Sequence, residues 1–144
     1  MYRLRFQYEQ FGKTMRQILD SFDELGMPVR RTASTLDGEH ASYQAATVIG
    51  KGKLKKKIVN TVFFDNWRRQ MLARVKFERN HPSIFIWETD NEFVFINLRN
   101  FGNLEVGEPE IHKGGQMVME LDPTRDWRRS GWAGCIFSGL RLSL

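Results

Sequence analysis

At 144 residues the chain has the length of one domain, and its 41% hydrophobic and 27% charged residues are ordinary for a globular protein. Its net charge of +5 equals the contribution of Lys51, Lys53, Lys55, Lys56 and Lys57, so the remainder is balanced, which argues against a nucleic-acid binder with cations spread over a face. One cysteine, Cys135, excludes an intrachain disulfide and a multi-cysteine metal site, and no run reaches the ~20 apolar residues of a membrane span.

Met1 to Lys13 has no apolar core of a signal peptide, so the chain as read is expected to be cytoplasmic, although a longer parent protein could be secreted or periplasmic. The first helix is predicted over about Thr14–Leu25, where Met15, Ile18, Leu19, Phe22 and Leu25 form an apolar stripe. Gly26 and Pro28 supply its stop. A short strand, Val29–Ala33, is expected next. From Thr35 to Asn60 the pattern is weak, with a turn signal at Asp37-Gly38 and the lysine tract read chiefly as a solvated loop. A phosphate cradle is the sharper reading of that tract, but the glycine spacing of a P-loop is missing.

A second helix is predicted from Trp67 to about Arg79, capped by Asp65 or Asn66, with Trp67, Met71, Leu72 and Val75 on its apolar face. Pro82 ends it by disfavouring helical geometry at His81. Ile84–Trp87 is an uninterrupted apolar run of the kind found in parallel strands buried on both faces. A further apolar patch, Phe93–Ile96, follows the polar residues Glu88 to Glu92. The third helix is predicted over about Pro109–Leu121, weakened by Gly114-Gly115 and stopped by Asp122-Pro123. This alternation predicts an α/β fold with a parallel sheet.

In such folds reactive side chains gather at the C-terminal ends of strands. Glu88, Asp90, Asn91 and Glu92 fall there, after the Ile84–Trp87 strand. Neighbouring apolar groups and like charges favour the neutral form of a carboxyl, the state a general acid needs. Acids after a strand also cap helices or form solvated turns, so the pattern alone leaves both uses open.

The stretch Asn80-His81-Pro82-Ser83-Ile84-Phe85-Ile86-Trp87-Glu88-Thr89-Asp90-Asn91-Glu92 resembles the signature of glycoside hydrolase family 2, which includes β-galactosidases, β-mannosidases and β-glucuronidases. Arg68–Arg79 resembles the helix before that signature, Asp23 to Val29 the helix-to-strand step one unit earlier, and Asp122 to Arg125 the turn closing the next helix. The resemblance implies an incomplete TIM-barrel fragment over residues 1–126, with a divergent tail over 127–144. It implies retaining hydrolysis of β-glycosides, with Glu92 as general acid/base and Asn91 hydrogen-bonding the sugar 2-hydroxyl. The implied partner is a carbohydrate, with no cofactor, no metal, no nucleic acid and no membrane; the oligomeric state is left open.

Two departures stand out. Glu88 and Asp90 occupy positions where the family commonly has small residues. A full barrel takes ~250 residues, and no glutamate here matches the family's nucleophile, since Glu105, Glu108, Glu110 and Glu120 have no strand before them. The chain alone is therefore expected to be inactive. The alternative is a non-catalytic carbohydrate-binding or interaction remnant. His81 is expected to fix a turn and Trp87 to belong to the core.

Overall fold

The computed structural model describes residues 2–4, 14–33, 44–90, 93 and 98–129. The chain runs β1 (Tyr2–Leu4), α1 (Met15–Glu24), β2 (Val29–Thr32), β3 (Ala46–Ile49), a single 3-10 turn (Gly52–Leu54), β4 (Lys56–Val59), α2 (Thr61–Glu78), β5 (Ile84–Glu88), α3 (Leu104–Leu121) and β6 (Asp126–Arg128). The four strands β1, β2, β5 and β6 form one sheet in that order, and every pair is parallel. A helix separates each strand from the next, as parallel crossovers require. β3 and β4 make a separate antiparallel hairpin between β2 and α2. The expected α/β alternation with a parallel sheet is present; the described strands do not close into a barrel.

α1 matches the sequence expectation closely. Thr14 and Gln17 form a reciprocal capping box, which satisfies two donors at the start of the helix. Gly26 has φ +61°, a left-handed conformation that lets the chain turn towards β2.

α2 starts six residues before the expected Trp67. Its cap is Asn60, whose side chain accepts from the Phe63 N–H at 3.1 Å. Asp65 and Asn66, the expected caps, lie inside the helix and bond one turn ahead to Arg68 and Arg69. Its buried face runs Phe64, Trp67, Arg68, Met71, Val75 and Glu78. α3 also begins early, at Leu104, so Pro109 lies within it rather than at its start, and the Glu105 carbonyl lacks the donor that a non-proline residue would offer.

The register defines layers across the sheet. Arg31, Trp87 and Trp127 are neighbours in one row. They face the helices: the Arg31 guanidinium makes a two-pronged ion pair with Glu78 of α2, the Trp87 indole donates to Asp122 at the end of α3, and Trp127 lies against His112 and Gly115 of α3. On this side a single core joins Met15 and Leu19 of α1, Val29, Phe64, Trp67, Met71, Ile84, Trp87, Ile111 and Val118. Trp87 is thus a core residue. The rows Arg30–Ile86–Asp126 and Thr32–Glu88–Arg128 fall on the opposite face.

Three observations bear on the sequence expectations. The lysine tract is not simply a solvated loop: Lys56 and Lys57 belong to β4, and Lys57 Nζ donates to the carbonyls of Phe101 and Gly102 and to Asn103 Oδ1. The expected boundary between residues 126 and 127 falls inside β6, where Trp127 and Arg128 pair with Trp87 and Glu88. Of the apolar patch Phe93–Ile96, Phe93 is described and buried, and the rest lies outside the described residues.

Candidate functional site

The C-terminal ends of β2, β5 and β6 lie side by side, and polar residues collect there. Glu88 is fully buried at the last position of β5. One of its carboxylate oxygens pairs with the Arg30 guanidinium, and the other accepts from the Thr32 hydroxyl at 3.0 Å. Beyond it, the Ala33 N–H donates to the Glu88 carbonyl at 2.8 Å and the Thr89 N–H to the Arg128 carbonyl at 3.1 Å, which extends the sheet past its formal ends. Asp90 is also fully buried and accepts from the Thr89 hydroxyl at 3.3 Å. Asn91 and Glu92, the two residues expected to bind and protonate substrate, lie outside the described residues.

The unexpected carboxylate is therefore accounted for by its partners. A buried charge is tolerated when paired and hydrogen-bonded, and Glu88 has both a cation and a hydroxyl. Sequence reasoning missed Arg30 and Thr32. The signal was there in alternation, since residues 30 and 32 fall on the face opposite Val29 and Arg31.

An open cleft of about 630 Å³ lies beside the N-terminus of α2, lined by Gln44, Asn60, Val62, Phe63, Asp65, Asn66 and Arg69. It offers amides, an arginine and a half-buried phenyl ring. Phe63 stacks edge-on against Phe64 and packs against Phe93, with ring centroids 5.0 and 6.4 Å away. Phe93, the residue after Glu92 in the chain, packs against Phe63 of the cleft wall.

The Asn80–Ser83 turn is held from two sides. Asp23 at the end of α1 accepts from His81 Nδ1 at 2.6 Å and from the Ser83 N–H at 2.8 Å. Desolvation pushes the Asp23 carboxyl up, but hydrogen bonds from Ser83 and His81 outweigh it and hold the group below the usual carboxylate range. Asp20, Asp23 and His81 bring three possible metal-ligand atoms together, and here Asp23 and His81 bond to each other, consistent with a turn-fixing role for His81. From the other side Arg125 donates to the carbonyls of Ile84, Arg79 and His81 at 2.5, 2.8 and 3.0 Å. Asp122 anchors Arg125 at 2.7 Å. Its carboxyl is raised by desolvation but lowered further by bonds from Thr124, Trp87 and Arg125, and lies below the usual range.

No protein family matches the chain, and no curated protein or solved structure matches it.

Proposed function

We propose that this chain is part of a retaining β-glycosidase barrel, that it carries the general acid/base Glu92 and the sugar-binding Asn91, and that the chain alone does not turn substrate over. The observation that carries this reading is the strand order. β1, β2, β5 and β6 lie side by side in chain order, all parallel, with helices between them. Barrels wind in one direction in this way, whereas doubly wound sheets reverse their order at a switch point. The resemblance of Asn80–Glu92 to the family signature supplies the chemistry.

The cleft beside Phe63 supports a carbohydrate at this rim. Sugars stack on aromatic faces and bond to amides, and Gln44, Asn66 and Arg69 line the cleft with Phe63. Retaining hydrolysis needs two carboxyl groups ~5–5.5 Å apart. No second matching glutamate is present in the sequence, so no glycosyl-enzyme can form. A non-catalytic carbohydrate-binding remnant is the second reading, and the cleft favours it equally.

The test is a nuclear magnetic resonance titration of the purified chain with β-galactosides, β-mannosides and β-glucuronides, run beside a chromogenic assay of the same sugars. The expected result is a shift of the Asn91 and Glu92 amide signals by at least one sugar, with no turnover. If no sugar moves those signals, the carbohydrate reading fails. Turnover that disappears in Glu92→Gln would overturn the expected inactivity.

A further inference from the structure

We propose that the β3–β4 hairpin docks onto an anionic lipid surface. The register assigns its two faces. Ala46 pairs with Val59 and Val48 with Lys57 on one face; Thr47 pairs with Ile58 and Ile49 with Lys56 on the other. On the first face Val59 packs against the core and Lys57 reaches residues 101–103, while Val48 is 55% exposed. The second face looks outward, and Thr47, Ile49, Lys56 and Ile58 are all exposed.

The connection between the strands continues this surface. Gly50 and Gly52 have φ +89° and +57°, and a side chain at Gly50 would collide with the Leu54 carbonyl, so the turn closes tightly. It carries Lys51, Lys53, Leu54 and Lys55 at its tip, all exposed, with Leu54 84% exposed. Four exposed lysines thus surround Leu54, Ile49 and Ile58, and residues 44–64 contain no acid.

Cations alone would suit any polyanion. The apolar residues among them decide the occupant. Lysines interleaved with aliphatic side chains fit a headgroup layer, where the cations meet anionic phosphates and the aliphatic groups enter the acyl boundary. A nucleic-acid strand would instead favour aromatic rings for stacking, and residues 44–60 contain none. This is a surface contact and not a span; no helix among the described residues is long and apolar enough to cross a membrane. It is independent of the glycosidase reading.

The experiment is sedimentation of the full chain with vesicles of phosphatidylcholine alone or enriched in phosphatidylserine, which makes the surface negative, with duplex DNA as a second polyanion. The expected result is binding to the anionic vesicles only, weakened by salt. Replacing Lys51, Lys53, Lys55 and Lys56 with Gln is expected to weaken it about fivefold per lysine, the factor equivalent to about 1 kcal/mol near such a surface. Leu54→Ser, which keeps every charge and lies at an exposed position, is expected to weaken vesicle binding without changing the circular dichroism spectrum. Absence of anionic-vesicle binding, an unchanged affinity in Leu54→Ser, or tighter binding to DNA than to vesicles would each overturn the proposal.

Discussion

Arg125 holds more of the structure than its place in a short turn suggests. Its planar guanidinium ties three carbonyls around the Asn80–Ile84 turn to the end of α3 through Asp122. A lysine keeps the charge but not the fork. Arg125→Lys is expected to lower stability by about 2 kcal/mol, because two carbonyls lose their donors; urea denaturation followed by fluorescence measures it. Asp23 provides a pH-dependent counterpart. Its folded pKa lies below the unfolded one, so its contribution is complete above the unfolded value of about 4 and fades as pH falls through the lower folded value. Asp23→Asn is expected to reduce stability at neutral pH and to flatten its decline below about pH 4, as read from urea midpoints across pH. The sequence resemblance pointed to both turns, but not to the bonds that join them. Those bonds connect residues 41 to 60 positions apart, which local patterning does not reveal.

The helices show where local preference yields to packing. Thr61, Val62, Phe63 and Phe64 are weak helix formers, so the sequence places the start of α2 at Trp67. Burial of Phe64 and the contact between Phe63 and Phe93 draw the helix back to Asn60. Gly114 and Gly115 read as a weak point of α3, yet the structure gives them a steric purpose. A Cβ on Gly114 would enter the Trp67 ring, and one on Gly115 the Trp127 ring. Alanine would gain ~1 kcal/mol of helix propensity, but overpacking against a buried indole costs about 1–3 kcal/mol. Gly114→Ala is therefore expected to be destabilising, with a lower thermal midpoint in calorimetry. By contrast α1, with Thr14 and Gly26 at its ends, was legible almost to the residue because its start and stop are encoded locally.

For the molecule as a whole, alternation of helix and strand predicted a parallel sheet, and four parallel strands in chain order are present. The hairpin was not legible. Its strands are only four residues each, and the lysines of β4 mask the alternation on which a strand reading relies. The candidate site was legible only in part: Glu88 and Asp90 are at the expected strand end, but their burial and the Arg30 pairing depend on a neighbouring strand. The lack of turnover expected on the proposed reading belongs to this level, since no glutamate in the sequence matches the nucleophile that the resemblance implies.

The pairing of β2 with β5 changes register between Val29 and Arg30, so that Val29 stands opposite Ile84 and Arg30 opposite Ile86. Phe85 is the extra residue of a bulge and is 62% exposed. Ile84 and Trp87, three positions apart, can therefore share the helical side, which a regular two-residue repeat would forbid. Removing Phe85 alone would leave each partner opposite its present neighbour. Removing Ile86 instead would shift Phe85 into the row of Arg30 and exchange a small aliphatic group for a ring beside the charged end of the strand.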